Sequence, residues 1–391
     1  MEQQTKRINL IVATIVVAQF FCISVWFASN AVVEDLCSHF NLPASYTAHL
    51  TTLVQLGFIT GTLVFTLFSI ADRMKPKWLY FGSALLAALF NYSIVFELDN
   101  TNFILLFRFL TGFFLAGIYP VGMKIAADYF EKSLGKTLSL IVSALALGTA
   151  LPHLIKYLGI GLDWEGVFTA TSVLAVTGGG MMLFIKDGPF RKKAQNIQLK
   201  ETVKLFRNNQ FKLGSFGYFG HMWELYALWV FIPVILSQYL EFHTVYDFNV
   251  SLWSFLIIGL GVIGCIVGGR IAHNRGASKV AFDSLHLSLI CCLLFPFVFY
   301  SSPMLFIPFM VFWGIVVIAD SALFSSLIAN SVSGELKGTA LTVSTCIGFG
   351  VTIVSIQFVG ILNSYFSNPI VYVIMALGPI VAIIYSRFFN R

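Results

Sequence analysis

Twelve long apolar runs follow one another along this chain with short polar breaks between them. A chain built this way has room for little besides a bundle of membrane-crossing helices. The runs cover residues 8–33, 46–70, 77–96, 102–126, 137–158, 166–186, 213–239, 249–271, 280–300, 304–328, 339–362 and 367–387, numbered here as spans 1 to 12. Each is long enough to cross about 30 Å of hydrocarbon as a helix, a form that satisfies the backbone polar groups within one segment. With 391 residues there are about 33 per span and loop, which leaves no room for a separate soluble domain. A mean hydropathy of +0.84 agrees with that reading.

Charge fixes the direction of threading. If the chain starts in the cytoplasm and crosses at every run, 22 of its 24 lysines and arginines fall in cytoplasmic segments, counting the cytoplasmic ends of the spans. The exceptions are Arg108, inside span 4, and Lys156, near the outer end of span 5. The opposite loops carry Glu34, Asp35, Glu97, Asp99, Asp163, Glu165, Glu241 and Asp247. This is the positive-inside distribution. It places the chain in a bacterial inner (cytoplasmic) membrane as a multi-pass protein with both termini in the cytoplasm. The net charge of +6 sits beside anionic lipid in juxtamembrane loops, so membrane lipids are the expected partners and nucleic acid is not. Cys22, Cys265, Cys291, Cys292 and Cys346 lie in apolar spans, and no disulfide framework is expected. The first run is too long for a signal-peptide core and reads as a retained helix.

The longest polar interruption, 187–212, contains Arg191, Lys192, Lys193, Lys200, Lys204, Arg207 and Lys212. It predicts an N-terminal six-helix unit (1–186), a basic cytoplasmic linker (187–212) and a C-terminal six-helix unit (213–391). The halves echo one another. Ala71-Asp72-Arg73-Met74-Lys75-Pro76-Lys77 after span 2 pairs with Gly269-Arg270-Ile271-Ala272-His273-Asn274-Arg275-Gly276 after span 8, and Gly135-Lys136-Thr137 with Gly338-Thr339-Ala340. Both pairs are separated by about 202 residues, which points to duplication of a six-helix unit. Glycines crowd span 2 (Gly57, Gly61) and span 8 (Gly259, Gly261, Gly264, Gly268, Gly269), where they permit close helix packing.

In these features the chain resembles the major facilitator superfamily over essentially its whole length. The family pattern after span 2 is Gly-x-Leu-Ala-Asp-Arg-x-Gly-Arg-Lys. Here Ala71, Asp72 and Arg73 are kept, with Phe68 and Lys75 at the glycine positions; the echo keeps Gly269, Ala272 and Gly276, with His273 replacing the acid. Arg108-x-x-Thr111-Gly112 is similar to the family's span 4 motif, and Gly148-x-x-x-Pro152 to part of a span 5 motif of antiporters. Gly217-Tyr218-Phe219-Gly220-His221-Met222-Trp223-Glu224 and Ala319-Asp320-Ser321 loosely resemble small bacterial members grouped with nitrate/nitrite porters. The resemblance implies an all-α membrane protein, with 12 transmembrane helices in two pseudo-symmetric six-helix bundles. It also implies that spans 1, 4, 7 and 10 line a central cavity, and that Asp72, Arg73, Gly269, His273 and Gly276 form a cytoplasmic gate.

Charge at bilayer depth is costly, which makes Arg108, Glu224 and Asp320 candidates for function. They lie on spans 4, 7 and 10. Span 1 supplies Gln19, Cys22, Trp26 and Asn30 at helical spacing. Arg108, Gly112, Leu115 and Tyr119 share one face of span 4, and Trp313 and Asp320 align on span 10. The expected substrate cavity is Gln19, Trp26, Asn30, Arg108, Tyr119, His221, Glu224, Trp313 and Asp320. Expected proton coupling rests on Glu224, Asp320, Arg108 and His221. Arg108 is a fixed charge, because guanidinium does not deprotonate. Glu224 is the expected proton carrier and His221, one turn away, its relay or tuning group. No metal or cofactor is expected, since His221-x-x-Glu224 has no second half of a metal site.

The expected function is alternating-access transport of a small solute, an anion if Arg108 is its partner, driven by protons through a single chain acting as a monomer. The alternative is a proton-driven efflux pump for drugs or an exported metabolite such as a siderophore. No phosphate-binding loop or His-Glu-x-x-His motif speaks for an ATPase or an intramembrane enzyme.

Overall fold

In a computed structural model, which describes residues 2–43, 45–96, 100–129, 134–159, 163–190, 202–333, 336–366 and 368–389, the protein is helical, with no strand among the described residues. Glu97, Asp99 and, in the linker, Arg191, Lys192, Lys193 and Lys200 lie outside the described residues. Among those described, 11 helices are long and apolar enough to cross a membrane. Span 1 differs from the continuous helix expected over 8–33. Its helix Glu2–Ile23 ends before Trp26, and a short turn of helix, Ala28–Ala31, follows. Among the described residues, Leu10–Ile23 is a shorter apolar helix.

The chain divides into two compact units, Met1–Leu42 with Leu53–Asn196, and Pro43–Thr52 with Ile197–Arg391. In the first, span 1 lies along spans 5 (Leu134–Leu158) and 6 (Trp164–Leu183), and span 3 (Pro76–Tyr92) along span 6. The second repeats this arrangement. Span 7 (Asn209–Phe242) lies along spans 11 (Lys337–Tyr365) and 12 (Pro369–Ala376, then Leu377–Phe389), and span 9 (Ala277–Phe299) along span 12.

Glycine makes the closest approaches within each unit. A Cβ on Gly112 would lie 1.9 Å from Val54 O, and one on Gly57 1.9 Å from Phe109 O, so spans 2 and 4 touch backbone to backbone. In the second unit a Cβ on Gly314 would lie 2.2 Å from Ile257 O and one on Gly264 2.0 Å from Ile315 O, which joins spans 8 and 10 in the same way. Gly112 and Gly314 stand about 202 residues apart, as do the two sequence echoes. Gly276, at φ 88°, makes the turn from span 8 into span 9, a conformation that side chains with a Cβ rarely adopt.

Helix starts follow local chemistry. Asn208 accepts from the amides of Gln210 and Phe211, and Asn249 from that of Leu252. Pro76, Pro303 and Pro369 occupy first helical turns, where a missing N–H costs nothing. In the first unit Lys77 Nζ donates to Leu183 O (3.3 Å) and Lys124 Nζ to Ala71 O (3.2 Å) at one end of the bundle. Span 5 ends elsewhere, with Lys156 paired to Asp35 at 2.8 Å.

Three interruptions matter for the site. Span 4 is Asn102–Leu115 followed by Tyr119–Tyr129, and span 10 is Pro303–Ile318 followed by Ser321–Asn330. These two breaks are again about 202 residues apart. The break in span 1 has no counterpart in span 7, which runs unbroken through 34 residues.

Candidate functional site

Each unit buries a charged cluster, and the clusters differ in chemistry. In the second unit, span 7 places His221 and Glu224 one turn apart, both buried. Glu224 Oε1 accepts three hydrogen bonds, from Ser288 Oγ, from Cys292 Sγ (3.2 Å) and from Trp313 Nε1 (2.8 Å). Ser288 and Cys292 lie one turn apart on span 9, so one helix face delivers both. Trp313 is held against Phe295 and Phe309 at ring separations of 5.6 and 6.1 Å. Glu224 Oε2 is buried with no hydrogen-bond partner.

One turn back along span 7, His221 Nδ1 lies 2.7 Å from Asp320 Oδ1. At that distance the imidazole and the carboxyl are in direct polar contact. Asp320 sits in the break of span 10, and its carbonyl receives the Phe324 amide that starts the next helix. His221 Nε2 is buried without a partner. The cluster therefore holds two carboxyls and an imidazole with unused acceptor or donor positions, a set able to take up, pass on and release a proton.

The first unit buries Arg108. Its Nη1 donates to Val25 O and to Asn91 Oδ1, both at 3.0 Å, and its Nη2 donates to Trp26 O. Val25 and Trp26 lie in the span 1 break, where a helix end leaves carbonyls without intrahelical donors. A cation there satisfies the carbonyls and suits the negative end of the helix dipole. Asn91 fixes the guanidinium from the other side, for its Nδ2 donates to Phe168 O (3.2 Å), Thr171 Oγ1 (3.0 Å) and Ser172 Oγ (2.9 Å) of span 6. No acid pairs with Arg108 among the described residues, and its Nε is buried without a partner.

The structure brings His221, Glu224, Trp313 and Asp320 together in one unit. It does not keep Gln19, Cys22, Trp26 and Asn30 on one helix face, because the helix stops at Ile23. Gln19 Oε1 instead accepts from Tyr80 of span 3 (3.2 Å), and Cys22 donates to Ala175 O of span 6 (3.3 Å). Trp26 packs on Phe58 at 4.8 Å, and Asn30 is buried in Ala28–Ala31. Arg108 and Tyr119 do not share a helix either. Tyr119 opens the second part of span 4 and is half-buried. Of the expected gate residues, Arg73, His273 and Gly276 are exposed and Gly269 is half-buried. The Asp72 side chain lies outside the described residues.

Sequence relatives bear on what such a molecule is. The sequence model of the Major Facilitator Superfamily matches residues 15–356. The chain belongs to the Major Facilitator Superfamily. It is a membrane transporter and not an enzyme. A curated relative, an uncharacterised MFS-type transporter of Caenorhabditis elegans, is 29% identical over 113 residues. The match takes in 28% of this chain and 19% of the relative, so the chain spans about a fifth of that protein's length. Among solved superfamily structures, a bacterial homologue of the human lysosomal transporter Spinster, inward-facing and occupied, superposes with a TM-score of 0.73 at 13% identity, covering 98% of this chain and 97% of the other. A variant of the nucleoside transporter NupG gives 0.71 at 13% identity, covering 97% and 98%. At these identities the likeness is one of fold.

Within that superfamily fold, Ser288, Cys292 and Asn91 are the polar residues that sequence reasoning passed over. Each is a small uncharged side chain inside an apolar run, and only the buried charge it binds marks it out.

Proposed function

We propose that the protein is a proton-coupled secondary transporter of a small solute, working by alternating access, with Glu224 as the proton carrier. The observation that carries this reading is Glu224 itself, a buried carboxylate with one oxygen held by three donors and the other unbonded. An intramembrane carboxyl of that kind is expensive unless it is used. His221 and Asp320 are its relay partners, and Trp313 orients it. The solute is anionic in this reading. Arg108 supports it only as a fixed positive charge: its hydrogen bonds go to Val25 O, Trp26 O and Asn91 Oδ1, so it offers the solute a positive potential and not a clamp. The finer likeness to nitrate/nitrite porters rests on the sequence stretches named above alone. The chain functions as a monomer in a bacterial inner membrane, with both termini cytoplasmic; the distribution of basic residues supports that orientation.

Proteoliposomes loaded with a pH-sensitive dye and challenged with small anions, zwitterions and organic cations test the proposal. Proton entry together with a small anion is the expected result. Proton movement opposite to a bulky or cationic compound would make the protein an efflux pump, and labelled-solute uptake with no proton response would remove Glu224 as carrier.

A further inference from the structure

Span 9 enters none of the roles above, yet it supplies two of the three donors to Glu224. We infer that Ser288 and Cys292 are positioning residues of the proton site: with Trp313 they occupy Glu224 Oε1 and leave Oε2 as the atom that takes the proton. The inference rests on Glu224 being the proton-active group. A carboxylate oxygen offers about two lone-pair directions, so three donors saturate Oε1. A proton arriving there would displace a hydroxyl, thiol or indole donor into a buried setting without a partner, which carries a full desolvation penalty. Oε2 has nothing to displace. The step adds one proton to Oε2 and breaks no other bond.

The titratable groups around Glu224 are His221 on its own helix, Asp320 on span 10, and Cys291 and Cys292 on span 9. No lysine or arginine pairs with Glu224 among the described residues. The negative charge is therefore held by hydrogen bonds alone, and bonds to an ionised acceptor are roughly twice as strong as neutral ones. Protonation of Oε2 weakens both span 9 bonds at once. The grip of span 9 on span 7, within this one unit, thus depends on the charge of Glu224.

The test is an infrared pH titration of the purified full-length protein in liposomes, with no solute or gradient. Thiol S–H stretches fall in an otherwise empty part of the spectrum. The Cys292 band is assigned by its loss in Cys292→Ala, and the Glu224 carboxyl band by its loss in Glu224→Gln. The expected result is that the Cys292 band shifts over the same pH interval in which the carboxyl band appears, and is fixed at all pH in Glu224→Gln. In Ser288→Ala the carboxyl midpoint moves by about tenfold or more in proton concentration, the effect of one lost bond to a charged group. Ser288→Thr restores it. A Cys292 band indifferent to Glu224 ionisation would overturn the inference, as would an unmoved midpoint in folded Ser288→Ala. The thiol reading uses only wild type, Cys292→Ala and Glu224→Gln, so a Ser288→Ala protein that fails to fold does not remove the test. A negative result strikes the positioning role and leaves the transport reading to its own experiment.

Discussion

The two units share a helix-packing pattern and a glycine pattern, yet one buries a cation and the other buries acids. Arg108 is committed to two backbone carbonyls and one asparagine side chain. Three of its bonds go to Val25 O, Trp26 O and Asn91 Oδ1, and they stabilise a helix break. Glu224 is held by side chains and keeps one unbonded oxygen, and Asp320 lies against the His221 imidazole. Counting on by about 202 residues, Met310 stands where Arg108 does, and span 7 accordingly runs unbroken. By the same interval Gln19 and Cys22 stand where His221 and Glu224 do. In the proposed reading, one unit thus holds a permanent structural charge and the other the exchangeable protons. What distinguishes them is that the Arg108 partners are two backbone carbonyls and an anchored asparagine, whereas those of Glu224 are all side chains.

The comparison breaks most readily at Arg108. Replacing it by methionine, the residue of the other half, leaves two carbonyls and Asn91 Oδ1 without donors, and should cost about 3 kcal/mol or more. Thermal unfolding in detergent reads this, and lysine should rescue little, because a compact ammonium does not span the fork. A stable Arg108→Met protein would put Arg108 among the working charges instead. Next come the paired glycines. Gly112→Ala and Gly314→Ala each push a Cβ into a facing carbonyl, and each should lose about 2 kcal/mol by the same assay. Unequal losses would show that the two seams are not equivalent. Smaller still is the stability effect of Glu224→Gln, expected below about 1 kcal/mol because the amide keeps an oxygen for the three donors, and removal of a buried charge offsets the unpaired N–H groups it places at the Oε2 position. A large loss there would make Glu224 structural, like Arg108. Smallest is Lys156→Ala, about 0.5 kcal/mol or less, since its pair with Asp35 is partly exposed, with side-chain exposures of 27% and 46%.

Most of the fold was legible because membrane insertion leaves such a plain trace: apolar runs of spanning length, basic residues on one side, and an echo at a constant interval. The deep charges were legible for the same reason, as Arg108, Glu224 and Asp320 stand out in apolar surroundings. The break in span 1 was not. Ser24-Val25-Trp26-Phe27 contains no glycine or proline, so nothing local predicts that the helix stops there. Its free carbonyls are satisfied by Arg108, about 80 residues further on, and only the tertiary structure shows it. Ser288 and Cys292 were hidden in a related way, because small polar side chains are routine in membrane helices. The aligned faces assigned to spans 1 and 4 hold as far as Cys22 and Leu115; Trp26, Asn30 and Tyr119 depart from them because helical spacing was carried across breaks.

The most direct measurement compares wild type and Glu224→Gln in proteoliposomes, reading proton-driven accumulation and solute exchange on the same preparation. The account predicts that accumulation is lost while exchange persists near the wild-type rate, because only the protonatable group has been removed. Equal loss of both, or accumulation that survives, would contradict the assignment of the exchangeable proton to the C-terminal unit's carboxylate.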